Sequence, residues 1–433
     1  MARLLTQKDV YAVINAMAKE ITGQESTLQA VDTSTFISVG ETILSYSKEN
    51  ILNSLGLLMG RILIASREYR GGFNLINAIN TGLYTHRLEK ISFYASDATA
   101  AGPWNTDLFT NLSEGFNGGS NSDENGDAQS VPSQWEQKYK YPLEMNFAGS
   151  SVWDYGITIP EVQLEQAFRG PDEFNEFISG MLLEASNDIE TEKEAFRRAI
   201  VLNHIAGIYD LKSVMPGSCV NLTEEFNKFY FGNDTTSYYT TEQLLSTYLK
   251  EFLAFMVAEI KNYSVKFRNR SSMYHWTPPK TVGGNSLALL RHTPADKTKL
   301  FLYEPFFRKA EAMVMGEIFN DRYLSLDNYE GIEFWQNEAN PTSIKISPAI
   351  PNTDTTSVTY GTQIKGSTVT LDMVIGLMFD TDALLSDFQM DRVDSTVLNP
   401  RKLYRNLWYH FSKNGINDFT EKAILFYMAD PVT

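Results

Sequence analysis

Hydrophobic and polar positions follow two different periods along this chain, and the longest uninterrupted pattern is helical. Between Asp172 and Gly207, the residues Phe174, Phe177, Ile178, Met181, Leu182, Ala185, Ile189, Phe196, Ala199 and Ile200 recur at three- and four-residue spacing. That spacing lays one apolar stripe along a helix of 3.6 residues per turn. Gly170-Pro171-Asp172 opens the run. Proline in a first turn forfeits no hydrogen bond, and Asp172, Glu173 and Glu176 suit the positive end of the helix dipole. Gly207 is the expected stop. One rod of that length reaches roughly 50 Å at 1.5 Å per residue, more than a compact small domain needs, so it reads as a spine on which other parts hang. Two ordinary helices broken at Ser186-Asn187-Asp188 are the alternative. The stripe favours one rod, because Phe196, Ala199 and Ile200 resume nearly in the phase of Phe177 and Met181, with Ile189 alone spanning the gap.

Ahead of the spine the texture changes twice. Residues 8–22 carry Val10, Val13, Ile14, Met17, Ala18 and Ile21 on one helical face, and a polar connector runs from Thr22 to Ser34. Residues 36–65 form a second apolar segment, with Leu52, Leu55, Leu58, Met59, Ile62 and Leu63 at helical spacing. From His86 the pattern becomes β. Tyr139, Tyr141, Leu143, Met145 and Phe147 alternate with Lys140, Glu144 and Asn146, the period of a strand with one covered face. Asn111 to Ser133 is rich in Gly, Ser, Asn and Asp and packs no core. The simplest architecture is a long hairpin with a soft tip, whose strands need cover from elsewhere.

Behind the spine, loops are expected around Cys219, then one helix from Thr241 to Tyr263 with basic Lys261, Lys266, Arg268 and Arg270 gathered at its end. KLFLYEP predicts a strand and Phe306 to Phe319 a helix, whereas residues 337–369 read as loops or short edge strands. In the last segment Leu403, Leu407, Tyr409 and Phe411 recur around Arg405 as in a strand, and Asn414-Gly415 signals a tight hairpin turn. A helix capped by Asn399 with Pro400 as its first residue is the rival reading.

At 433 residues and 43% hydrophobic content the chain buries a large core. A single cysteine, Cys219, excludes an intramolecular disulfide and any multi-cysteine metal site. The net charge of −16 argues against gripping nucleic acid, whose affinity comes from cations on phosphates. No apolar run is long enough for a membrane span; the best, Ile51 to Ala65, is short and contains Arg61. The chain carries no HExxH, Walker, GxSxG or GxGxxG motif. His86, His204, His275, His292 and His410 are scattered, so neither catalytic nor metal residues nor a cofactor are expected. Glu190, Glu192 and Glu194 beside Lys193, Arg197 and Arg198 read as a solvated, ion-paired helix face. The positive signal is aromatic: 22 Tyr, 26 Phe and 6 Trp, many in the hairpin and tail, match the composition of subunit contacts. An aromatic-rich core or a carbohydrate-binding surface is the plainer reading of the same residues.

The order of these parts resembles the major capsid proteins of tailed double-stranded-DNA phages, the Hong Kong 97-type fold. The local pattern is similar to the small short-tailed phages. Pro142 to Phe196 resembles their hairpin return and spine, with Leu164, Ala167, Phe168, Phe174, Phe177 and Ile178 at matching positions. The tail resembles their NPR-x-LY-x-N-xx-YH segment through Asn399, Pro400, Arg401, Leu403, Tyr404, Asn406, Tyr409, His410 and Phe411.

The resemblance implies an α+β fold with an N-terminal arm (1–65), the start of a peripheral domain (66–84) and an extended E-loop hairpin (85–147). It further implies the peripheral domain with its spine (148–209), an axial domain (210–395) and a closing β segment of the peripheral domain (396–433). Spine packing falls to Phe174, Phe177, Ile178, Met181, Leu182, Ile189, Phe196 and Ile200, and intersubunit contact to the hairpin residues Tyr139, Tyr141, Leu143, Met145 and Phe147. The implied function is a self-assembling icosahedral shell of pentamers and hexamers around phage DNA, found in the virion capsid and assembled in the host cytoplasm. A portal and a separate scaffolding protein are implied partners; DNA is enclosed without tight sequence-specific binding, and no membrane is involved. An encapsulin-like nanocompartment shell and a phage-borne carbohydrate-active enzyme are the alternatives.

Overall fold

The computed structural model describes residues 11, 12, 14–16, 18, 19, 29–46, 71–79, 87–95, 140–149, 151–282, 285–313 and 329–431. Two compact units emerge. The larger draws on Met1–Leu88, Phe147–Trp276 and Arg291–Thr433, the smaller on Glu89–Asn146 and Thr277–Leu290. The hairpin tip from Asn111 to Ser133 and the apolar positions between Leu52 and Leu63 lie outside the described residues, as does Tyr139.

Helix α1 (Thr33–Tyr46) starts where Asp32 accepts the Thr35 amide at 2.8 Å, an N-cap that the polar connector supplies. Strands β1 (Asn77–Ala78), β2 (Arg87–Phe93), β3 (Pro142–Ala148) and β4 (Ser151–Pro160) precede α2 (Glu161–Ala167) and the spine, α3 (Pro171–Asp210). Then come β5 (Cys219–Asn221), α4 (Leu222–Phe231), α5 (Thr241–Ser246), α6 (Leu249–Arg268), β6 (Lys280–Val282) and β7 (Asn285–Leu287). Strand β8 (Thr298–Tyr303), α7 (Glu304–Met313) and β9 (Tyr329–Ile332) follow. After four three-residue strands between Ile344 and Leu371, named β10 to β13, the chain closes with β14 (Val374–Asp380), β15 (Leu384–Ser395), β16 (Tyr404–Asn417) and β17 (Ala423–Tyr427).

Two sheets organise the larger unit. The first has the order β1-β15-β16-β4 and the second β5-β17-β14-β8-β9, parallel only at its two edges. Strands β14 and β17 read as unbroken apolar runs, VIGLMF and AILFY, because the second sheet is covered on both faces. Leu377, Phe379 and Leu425 share a core with Val201, Ile205 and Ile208 of α3. The alternate residues Met378, Ile424 and Phe426 point into another core with Phe252, Met256 and Ile260 of α6. On the first sheet, Val393, Leu407 and Tyr409 pack with Phe174 of α3 and with Phe36 and Val39 of α1.

Several local expectations are overturned by tertiary packing. Gly207 does not stop the spine, which runs on to Asp210. A Cβ at Gly207 would collide with the Phe419 ring, so this glycine serves close approach rather than termination. Asn414-Gly415 lies within β16 and makes no turn; Ile200 crosses there, 2.7 Å from where a Cβ would stand. The turn comes instead at residues 418–422, where the chain passes from the first sheet to the second and Asp418 accepts the Thr420 amide at 2.8 Å. The single helix expected from Thr241 to Tyr263 is two, α5 and α6, interrupted where Tyr248 stacks on Tyr239 at 4.2 Å. The loop expected around Cys219 occupies residues 211–218, and Cys219 itself opens β5, a parallel edge strand beside β17.

Candidate functional site

Among the described residues no three His, Cys, Asp or Glu side chains group closely enough to hold a metal ion. His204 is buried on α3 with its ring stacked 4.8 Å from that of Phe419; burial holds its pKa down to about 4, against the pull of the Asp418 carboxylate. His275 is buried with both ring nitrogens 3.2 Å from backbone oxygens, those of Trp276 and Ser271. His410 Nε2 lies 3.7 Å from Asp394. Burial pushes the Cys219 thiol up to about 12, and its Sγ faces the Ile208 carbonyl at 3.5 Å, the setting of an inert thiol. These are the surroundings of packed side chains.

What the sequence organises instead is a seam. Glu192, Phe196, Ile200 and His204 stand four apart on α3 and form one stripe, while Lys413 and Gly415 stand two apart on β16. The stripe follows the strand. Glu192 pairs with Lys413 at 2.7 Å, and the Lys413 ammonium sits over Trp153 at 4.4 Å and Phe411 at 5.3 Å. Ile200 then crosses Gly415, and Gly207 admits Phe419. At the Ser186-Asn187-Asp188 triplet the helix is continuous, and the Tyr155 hydroxyl of β4 donates to Asp188. Of the stripe read from the sequence, Phe174, Ile189 and Ile200 are buried and Phe177 and Phe196 half-buried. The side chains of Ile178, Met181 and Leu182 lie outside those described, and Ala199 is exposed.

The charged face of α3 is solvated only in part: Glu192 is exposed, whereas its charged neighbours are buried or half-buried. Glu190 is buried, and Arg198 bonds Glu194 at 2.6 Å while its guanidinium lies 4.0 Å from the Phe334 ring centre and 5.4 Å from that of Phe73. Phe73 adopts a positive φ of 62° to place its ring there. Nothing in the sequence pattern singles out Phe73; only the flanking Gly71-Gly72 marks a close approach, at Glu194.

In the smaller unit β2 pairs with β3, and the Tyr94 amide donates to the Tyr141 carbonyl at 3.1 Å. The two strands have one covered and one open face. Tyr141, Leu143, Met145 and Phe147 are half-buried and Ser92 and Tyr94 buried, with the Tyr94 hydroxyl on the Pro278 carbonyl at 2.9 Å. Glu89, Ile91, Phe93, Pro142, Glu144 and Asn146 are exposed.

The tail motif builds a fixed turn between β15 and β16. Asn399 Oδ1 accepts the amides of Arg401 and Lys402 at 3.1 and 3.2 Å, and the Leu403 amide donates to the Asn399 carbonyl at 2.8 Å. The Leu403 backbone has a positive φ of 50° and its side chain is exposed rather than part of the strand's buried row. The rival helix is absent: Asn399 bridges Tyr404, which begins β16. Beyond the turn Tyr409 is fully buried and His410 partly so.

The family model of the Phi29-like phage major capsid protein matches residues 138–427 of this chain. The chain belongs to that family. As a Phi29-like major capsid protein it is a structural, non-enzymatic subunit of a tailed phage head, located in the virion capsid, where copies assemble with one another into the shell. Its α+β fold is that of the Hong Kong 97-type capsids. The match takes in β3, the seam, the second sheet, the first sheet apart from β1, and the tail turn, so the resemblance drawn from those residues holds and the enzyme alternative falls away.

Among solved structures, the capsid of Staphylococcus phage Andhra is similar over 83% of this chain and 84% of that one, at 10% identity and TM-score 0.49. A chain of native bacteriophage P68, from its head fiber and inner core protein structure, covers 83% and 85% at 12% identity and TM-score 0.48. The capsid of Cyanophage P-SCSP1u covers 84% and 90% at 11% identity and TM-score 0.40. The curated proteins contain no match to this capsid protein.

Proposed function

We propose that this capsid protein builds an icosahedral shell of pentamers and hexamers around double-stranded DNA, with a portal and a separate scaffolding protein as partners in the host cytoplasm. In this reading residues 1–65 are an arm along the shell, 66–84 and 148–209 with 396–433 the peripheral domain, 85–147 the E-loop and 210–395 the axial domain. The E-loop lies over a neighbour, with Tyr139, Tyr141, Leu143, Met145 and Phe147 contributing to the intersubunit contact. Residues Phe174, Phe177, Ile178, Met181, Leu182, Ile189, Phe196 and Ile200 keep the spine straight beneath the closing strands, and the axial regions meet around each capsomer axis.

One observation carries the reading: a two-stranded ribbon with an exposed apolar face forms a compact unit separate from the sheet-rich body. Such a ribbon gains its remaining cover from a partner. The net charge of −16 suits a wall past which DNA must slide without sticking. Electron microscopy of particles made by the full chain, expressed with its phage's head genes, tests this. Closed shells with five- and six-fold capsomers are expected; open sheets or soluble monomers alone would overturn it.

A further inference from the structure

The open face of the hairpin and the tail turn share no role in the fold, yet both are apolar and charged. Ile91 is 55% exposed and Phe93 56%, on a ribbon that also exposes the acids Glu89 and Glu144 and the cation Lys140. A large aliphatic and an aromatic side by side in water on a ribbon are a costly arrangement for a lone subunit, since each forfeits most of the gain that burial brings.

The turn is the reciprocal surface. Val397 is 72% exposed and Leu403 50%, and they flank the exposed cations Arg401 and Lys402. Asn399 holds the turn through the two amides it accepts, and the Leu403 carbonyl accepts the Glu161 amide at 2.9 Å, so Leu403 is presented by fixed backbone. A residue kept at positive φ with an exposed apolar side chain gains nothing for its own core from that conformation. The two exposed acids Glu89 and Glu144 call for a basic counterpart on the second copy, and this turn pairs two cations with exposed aliphatic groups.

We infer that the open hairpin face of one copy, through Glu89, Ile91, Phe93 and Glu144, docks on the Val397–Leu403 turn of a second copy, through Arg401, Lys402 and Leu403. The inference rests on the shell reading above and names the contact through which the hairpin engages a neighbour. The apolar side chains supply the buried centre and the charges fix register at the rim, as in other specific interfaces. The Asn-Pro-Arg motif then has a use beyond folding: it builds the socket.

Charge reversal with rescue tests the pairing. Glu89→Lys with Glu144→Lys should lower the yield of closed particles on the order of tenfold or more. Adding Arg401→Glu and Lys402→Glu in the same chain should restore it to within about twofold of the parent. A second measurement leaves every charge in place. Particles assembled from a mixture of Phe93→Cys and Leu403→Cys chains should form a disulfide-linked dimer on oxidation that neither variant forms alone, the native Cys219 thiol being inert. Parental yield from the first variant, or no rescue together with no linked dimer, would overturn the inference. If the parent chain itself forms no closed particles, the shell reading fails instead, so the two failures are distinguishable.

Discussion

The five-stranded sheet and the hairpin ribbon are both β structure with aromatic side chains, but they treat those side chains in opposite ways. In the sheet, Phe301 and Phe379 are fully buried and stacked at 5.1 Å, covered by α3 on that face, with α6 on the other. On the ribbon, Phe93 is more than half exposed and its neighbour Ser92 is buried. The sheet completes itself within one chain. The ribbon keeps an unfinished face, and the difference separates what makes the subunit stable from what makes it associate.

The contrast breaks most visibly at its two phenylalanines. Phe379→Ala should cost about 3–5 kcal/mol of unfolding free energy, by lost transfer plus cavity, whereas Phe93→Ala should stay within about 0.5 kcal/mol. Urea unfolding of the isolated subunit measures both, and similar losses would erase the distinction. Ile189→Pro should cost ~3 kcal/mol or more, because it removes a donor in a continuous helix and clashes with the preceding turn. A melting temperature equal to the parent's would mean that the spine tolerates a break there.

His204 sharpens the comparison through pH. Its folded pKa of about 4 lies below the ordinary 6.5, so between those values the unfolded chain binds the extra proton. Stability is therefore fully present above pH 6.5 and is lost as pH falls toward 4, by about 3 kcal/mol for this group. In His204→Gln the fall in stability over that window should be smaller by that amount; an unchanged fall would show that the ring is protonated in the fold. The smaller effect expected on the buried side is Gly207→Ala, about 1–3 kcal/mol from overpacking against Phe419, read from the same urea curves. A neutral result would mean that the ring moves aside freely.

The spine was legible because thirty-odd residues repeat one period between Gly-Pro-Asp and a distant glycine. Its end was not, because Gly207 carries the same letter whether it terminates a helix or lets Phe419 approach. Asn414-Gly415 misleads for the same reason: a turn signal is local, while Ile200 reaches it from more than two hundred residues away. Glu190, Glu194 and Arg198 resemble an exposed ion-paired face until Phe73 and Phe334 arrive from distant segments. Three-residue strands such as β5 are too short to show a period at all. The alternation of Tyr141, Leu143, Met145 and Phe147 was readable and matches the half-buried row of β3. The open face opposite it was not, since Ile91 and Phe93 look as fit for a core as any apolar pair. Only their placement in the fold shows that they are left outside.

Cys219 carries a consequence of another kind. A virion subunit is made in a reducing cell and then spends its working life in oxidising surroundings, repeated many times within a single shell. A reactive thiol in every copy would let oxidation staple neighbours together at random or swell the wall with acids. Here the sole thiol is tucked against the Ile208 carbonyl with its proton held until about pH 12, so almost none of it is thiolate in either environment. The wall can thus pass from one redox world to the other without its chemistry registering the change.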